Sequence, residues 1–384
     1  MRGKILFALL LIAAPALAQS TDEQALLASR RVWWKDPSHA LDVMGMTPLE
    51  RVAGGHAKPL PTGPSDIDPK AVSDALAYVN RGRTQSLLVW HRGALRLEWY
   101  GPGFGPSAIS APASMPKPVL ALAVGAAVAR GKLHLDDPIG RWLPAWRDDP
   151  RGTITIRDLL QMRSGLAKDG FASHGGRGEE LMLGTRLEDL LLHTQAAVPP
   201  GTRFDYNNVD NLLLALVLQR ATGKRYARWL STTVWKPMGG SDASIWLDRP
   251  GGLARTFCCL LTTARDWVRV GLLIGNRGYA NGRQVLPASW IDQMTAPSPT
   301  NPNYGFQIWR ASPYAPQRGY GTGGATPVPS RVPILADDML IFDGAIGQRI
   351  YISPSRDLVI VRIGNSIPDW DDSILPNLII AGLR

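Results

Sequence analysis

The chain has 384 residues, 45% of them hydrophobic and 19% charged, with a formal net charge of +10; it can bury a large core and is too apolar for a disordered protein. The basic excess is scattered, with no Lys/Arg run and no basic stretch interleaved with aromatics, which argues against nucleic acid as a partner and leaves anionic envelope polymers as the natural contact for such a charge. The two cysteines, adjacent at Cys258 and Cys259, supply neither a disulfide framework nor a zinc site, and the expectation is a pair of buried thiols.

Taken in chain order, the first element is a leader. "MRGKILFALLLIAAPALAQS" has a basic start, an apolar run and an A-x-A signal at Ala16-Leu17-Ala18, so residues 1–18 read as a secretory signal peptide. The run is broken by Pro15 and is shorter than the roughly 20 residues a spanning helix needs, so no stable membrane span is expected. Cleavage would remove Arg2 and Lys4, lower the charge to +8, and leave a periplasmic or secreted protein beginning near Gln19. Residues 19–75, Pro- and Gly-rich in "HAKPLPTGPSDIDP", read as an extended N-terminal arm. "SLLVWHRGALRLEWYG" then gives two apolar runs around Arg92-Gly93, the signature of a β-hairpin. The next segment, "ASMPKPVLALAVGAA", carries no charge from Pro118 to Ala129, so a helix here is apolar on every face and must be interior.

Between residues 151 and 284 the apolar residues recur at helical spacing, in "TIRDLLQMRSG", "LEDLLLHT", "NVDNLLLALVLQRATGKRYARWL" and "TTARDWVRVGLLIG", with Gly223 as a helix stop. "DMLIFDGAIGQRIYISPSRDLVIVRIG" returns to strands, with a turn at Pro354-Ser355-Arg356. The pattern predicts a sheet lobe built from residues 76–150 and 285–384 and a mainly helical lobe over 151–284.

Lys117 stands at the mouth of the interior helix, where a charge is costly without a role. Ser114 is the only serine with a lysine three residues on. That spacing lets the lysine reach the serine, while burial and the positive helix end disfavour the ammonium and make the amine a base. The helix start also offers backbone N–H groups to an oxyanion. In "PPGTRFDYNNVDN", Tyr206 and Asn208 fall on a loop at a helix start, and a tyrosine beside a lysine is expected to lose its proton more readily. Other chemistries lack their residues: no serine has the G-x-S-x-G elbow of an α/β-hydrolase, and no H-E-x-x-H or other close histidine pair suggests a metal or cofactor.

With Ser114-Met115-Pro116-Lys117 as S-x-x-K and Tyr206-Asn207-Asn208 as Y-x-N, the chain from about Ser86 to Ile363 resembles the penicillin-recognising serine hydrolases. This family takes in class C β-lactamases, D-alanyl-D-alanine carboxypeptidases, related esterases and 6-aminohexanoate-dimer hydrolases. "CCLLTTARDWVRVGLLIGNRGYANGRQVLPASWI" and "FDGAIGQRIYISPSRDLVIVRIG" look most like the last branch. The resemblance implies an α/β (α+β), β-lactamase/transpeptidase-like fold: an antiparallel sheet flanked by helices, an all-helical lobe, and a cleft between them. It implies that Ser114 is acylated, that Lys117 and Tyr206 move its proton, and that Asn208 holds the substrate amide or the lysine. It places an oxyanion donor at Ala345 after Gly344 and puts Trp309 at the cleft wall or in the core. The third motif departs from the β-lactamase pattern, because Phe342 and Asp343 stand where a basic and a hydroxyl residue grip a substrate carboxylate; Arg349 rescues such binding only if it turns into the cleft. Pro118 and Phe171 also depart, standing about where relatives have a serine and a tyrosine. The expected substrate is a small neutral ester or amide rather than a β-lactam. The alternatives are a β-lactamase or carboxypeptidase and an inactive relative that binds cell-wall peptide.

Overall fold

The computed structural model describes residues 19–35, 43, 45–56, 58–168, 176–322 and 326–384; the leader over 1–18 and Phe171 lie outside them. The hairpin forms as expected. Arg92 (φ 46°) and Gly93 (φ 80°) both take left-handed backbone, the geometry that matches a two-residue turn to strand twist, and join Thr84–His91 to Ala94–Tyr100. These strands open a six-stranded antiparallel sheet that continues with Leu358–Gly364, Gln348–Ser353, Leu340–Gly344 and Trp309–Arg310. Strands from the two halves of the chain therefore meet at its centre, where Ile360 lies opposite Val89.

Both faces of this sheet are covered, which is why its strands read as continuous apolar runs rather than alternating ones. Leu87, Val89 and Ile360 face a layer made by the helices Pro69–Val79 and Ile374–Ala381. Leu88, Val359 and Val361 face the other way, toward the helix Ala264–Gly275. Gly271 allows that helix to approach closely, since a Cβ there would stand 2.6 Å from Val359 Cγ1. Although this helix lies inside the stretch read as helical from sequence, its packing partners are the sheet strands.

The interior helix runs from Lys117 to Val128, and every residue from Lys117 to Ala127 is buried. Against it packs Asn208–Thr222, capped at its start by Asn207, whose side chain accepts from the Val209 N–H at 3.1 Å, and ended by Gly223 in the left-handed conformation.

Two expectations are corrected. The N-terminal arm is not extended: Thr21–Trp34 is a helix started by a reciprocal cap between Ser20 and Glu23, and Leu49–Val52 is a strand. That strand belongs to a second sheet with Ala243–Trp246, Leu260–Thr263 and Ile109–Ser110. The helix is fixed by tertiary contacts that its own apolar pattern does not announce. Arg30 is buried and donates to the carbonyls of Leu183 (2.8 Å), Asp248 (2.9 Å), Thr47 (2.6 Å) and Leu247 (2.9 Å). Cys258 and Cys259 are not free thiols either; the chain turns at residues 256–258 just before a strand, and the two buried sulfurs are bonded to each other.

Candidate active site

Ser114 sits in the turn leading into the interior helix, so it is held by the helix start without being part of it. The residue before it, Ala113, takes φ 48°, a conformation that L side chains rarely adopt and that costs on the order of 1 kcal/mol. Lys117 Nζ lies 2.8 Å from Ser114 Oγ and donates to the Phe257 carbonyl at 2.9 Å. The carbonyl takes one amine hydrogen, which leaves the nitrogen free to face the serine hydroxyl. Lys117 is 1% exposed, and burial drives its pKa well below the usual ammonium range although Asp343 pulls the other way.

Tyr206 completes the group, with its side chain hydrogen-bonded to Ser114 and the Lys117 nitrogen 4.8 Å from its ring centroid. The expectation that the lysine makes this phenol more acidic is overturned. Burial, reinforced by the charge of Asp343, pushes the Tyr206 pKa well above the ordinary phenol range, so burial favours the uncharged form of both the amine and the phenol.

The serine and tyrosine open into a cleft of about 560 Å³ that Gly344, Ala345 and Arg349 also line. Gly344 is required by close packing: a Cβ there would stand 2.6 Å from the Pro112 carbonyl oxygen and 2.9 Å from Gln348 Cβ. The strand carrying Gly344 thus lies directly against Pro112, two residues before Ser114, and Ala345 lines the same cleft as the serine.

Asp343 and Arg349 occupy opposed positions on neighbouring strands, and their side chains meet. Arg349 Nη1 lies 2.7 Å from Asp343 Oδ1 and Nε 2.8 Å from Asp372 Oδ1, while the guanidinium also donates to the carbonyls of Gly344 and Gln348. Arg318 lies 3.1 Å from Asp343 Oδ2 and pairs with Asp372, and the Tyr320 hydroxyl donates to Asp343 Oδ2 at 2.5 Å. Burial alone would raise the Asp343 pKa, but Arg349 and Arg318 hold it below the ordinary carboxylate range. Arg349 does turn into the cleft wall, where its Nε and Nη1 donors are already engaged.

Trp309 is core: at 3% exposure it stacks behind Tyr206, centroid to centroid 5.6 Å, and lines a separate small cavity. Asn208 opens its helix, its Oδ1 is buried without a hydrogen-bond partner, and no hydrogen bond joins it to Lys117 among the described residues. Pro118 is buried in the first turn of the interior helix. Sequence reasoning missed Phe257, Arg318, Tyr320 and Asp372. Tyr320 is tied to the tyrosine twice, its carbonyl accepting the Tyr206 N–H at 3.1 Å and its ring lying 5.4 Å away, yet it comes from an irregular loop that carries no periodic signal. Among the described residues no group of His, Cys, Asp or Glu could hold a metal ion, and no helix is long and apolar enough to cross a membrane.

The profile of the Beta-lactamase family matches residues 78–381. A 6-aminohexanoate-dimer hydrolase of Paenarthrobacter ureafaciens is 24% identical over 305 residues, covering 75% of this chain and 74% of the relative. Esterase EstB of Burkholderia gladioli is 35% identical over 144 residues, 34% of this chain and 36% of the esterase. A solved structure of a candidate 6-aminohexanoate-dimer hydrolase from Bacillus anthracis superposes with a TM-score of 0.74 at 21% identity, covering 91% of this chain and 94% of the other. The fold is thus β-lactamase/transpeptidase-like, and the chain belongs to the Beta-lactamase family of serine hydrolases.

Proposed function

We propose that the protein cleaves small neutral esters or amides through an acyl-enzyme on Ser114, with weak or no activity on β-lactams. The observation that carries this reading is the closed charge network at the third motif. A substrate carboxylate entering the cleft meets Asp343, and the arginine that could receive it already holds Asp343, Asp372 and two carbonyls. Displacing those partners would leave a buried charge unpaired, a cost a neutral substrate avoids. The names of the similar proteins, an amide-dimer hydrolase and an esterase, support the same reading.

In the proposed reaction, Ser114 Oγ attacks the substrate carbonyl carbon and its proton passes to the neutral Lys117 amine. Collapse of the tetrahedral intermediate breaks the bond to the alcohol or amine, which leaves with the Tyr206 phenol proton; Lys117 then reprotonates Tyr206. Water attacks the acyl carbon by the reverse relay and releases the acid. Ala345 supplies an N–H to the oxyanion, a contact of the kind whose loss costs roughly 10²- to 10³-fold in rate. Export of the mature chain after Ala18 is part of the proposal, and the mass of protein recovered from the culture medium or periplasm would refute it if Met1 were intact.

The test compares kcat/KM for p-nitrophenyl butyrate and for a chromogenic cephalosporin on one preparation, with Ser114→Ala as blank. The ester is expected to be the better substrate, and Lys117→Ala and Tyr206→Phe are each expected to lose roughly two to four orders of magnitude. Faster cephalosporin turnover would replace this reading with that of a β-lactamase. A fluorophosphonate label that survives Ser114→Ala would remove Ser114 as nucleophile.

A further inference from the structure

The cleft wall beyond the serine is apolar, and one ring in it is held with unusual rigidity. Trp370 is partly exposed and lines the cleft beside Val328, Ile346 and Ile367. Its indole N–H donates to Asp372 Oδ1 at 2.7 Å, which fixes the ring about its long axis. Tyr78 packs against it at 5.5 Å between centroids, and the guanidinium carbons of Arg349 and Arg362 lie 5.4 and 5.6 Å from its centroid. Gly347, in left-handed backbone at φ 79°, leaves room at the ring edge, where a Cβ would stand 3.4 Å from Cε3. A partly exposed tryptophan tied by its hydrogen bond and by three neighbours is pre-organised: it loses little freedom when a ligand covers its remaining surface.

The charged groups packed around it are engaged with one another and with backbone carbonyls. Asp372 is divided among Arg349, Arg318 and the indole itself, and Arg362 donates to Thr84, Gly347 and Asn365. What remains for a substrate is the apolar lining of the cleft, in which Trp370, Val328, Ile346 and Ile367 share one cavity with Ser114.

We propose that Trp370 is the specificity-determining platform of this cleft, and that the preferred ester or amide carries an uncharged aromatic ring that stacks on it. This rests on the serine-hydrolase reading above and names the substrate class for the same site. An aromatic pair adds about 0.5–1.5 kcal/mol beyond area burial, which at 1.4 kcal/mol per decade is an advantage of roughly two- to tenfold.

The experiment measures kcat/KM for two matched ester pairs: ethyl phenylacetate against ethyl butyrate, with the ring on the acyl side, and benzyl butyrate against butyl butyrate, with the ring on the alcohol side. The wild type is expected to favour the aromatic member of one pair by roughly two- to tenfold. Trp370→Leu, which keeps apolar bulk without a π face, brings that ratio to near one, and Trp370→Phe keeps most of it. A ratio near one in the wild type for both pairs, or one unchanged in Trp370→Leu, would overturn the proposal. Binding of N-benzylbutyramide and N-phenethylacetamide to Ser114→Ala, followed by ligand-observed NMR with and without Trp370→Leu, separates the two readings. Binding lost with the tryptophan in a protein that turns over no ester would retain the platform and remove the hydrolase. Turnover of esters with neither amide bound through Trp370 would do the reverse.

Discussion

Replacing Asp343 with asparagine removes one charge from a buried set of four and changes almost nothing in shape. In the native protein two arginines, Arg318 and Arg349, face two carboxylates, Asp343 and Asp372, and the set is neutral. After Asp343→Asn both guanidinium groups share Asp372 alone. Breaking a buried pair from one side costs about 3–5 kcal/mol. The lower end applies here, about 3 kcal/mol, because Arg349 keeps the Gly344 and Gln348 carbonyls and asparagine can still accept from Tyr320. The assay is equilibrium denaturation as a function of pH. Since the native pKa of Asp343 is depressed, its contribution is complete above the ordinary carboxylate value of 3.8 and is lost as pH falls through the lower native pKa. The gap between wild type and variant is therefore full at pH 7 and closes only in strong acid. The same charge raises the pKa of both Lys117 and Tyr206, so its removal moves both limbs of the pH–rate profile toward acid. A variant that loses less than about 1 kcal/mol and keeps its pH profile would show that the four groups do not act as a unit.

Two further outcomes follow from the same geometry. Lys117→Met abolishes turnover and stabilises the fold at pH 7, because the native lysine pKa is depressed and the unfolded chain binds a proton the folded one lacks; that advantage shrinks as pH rises toward 10.5, and a pH-independent difference in denaturation midpoint would contradict it. Gly344→Ala pushes its strand from the Pro112 carbonyl, and is expected to lower kcat by roughly ten- to a thousandfold while KM changes little; an unaltered kcat would mean that Ala345 contributes no oxyanion contact.

The parts of the fold and site that could be read in advance were those whose signal is local. Arg92-Gly93 marks the hairpin by its own backbone demands, and the uncharged run after Lys117 has no arrangement but burial. Ser114 and Lys117 are three residues apart, so one turn of chain brings them together. Residues that depend on distant segments were invisible. Phe257 meets Lys117 across 140 residues, and Tyr320 meets Asp343 through a side chain on an irregular loop. The sign of the Tyr206 shift was misjudged for a related reason: one neighbour, Lys117, was considered, whereas depth of burial and the charge of Asp343 decide it. Sequence alone leaves Trp309 open between cleft wall and core, because its aromatic neighbours Phe204, Tyr206 and Tyr304, which enclose it, are not adjacent in sequence.

Arg30 has a consequence for how the chain is born. Its guanidinium is seated among carbonyls of which only that of Thr47 is near in sequence; those of Leu183, Leu247 and Asp248 emerge from the ribosome far later, the last of them 218 residues downstream. At roughly 5–20 residues per second, the first helix waits on the order of ten to forty seconds before its anchor exists. Until then it has only its own reciprocal cap and the nearby Thr47 carbonyl, and a helix of 14 residues is marginal alone in water. The helix Thr21–Trp34 thus cannot be fully seated until Asp248 has been made, and until then it stays open to any chaperone or export factor that binds unfolded polypeptide.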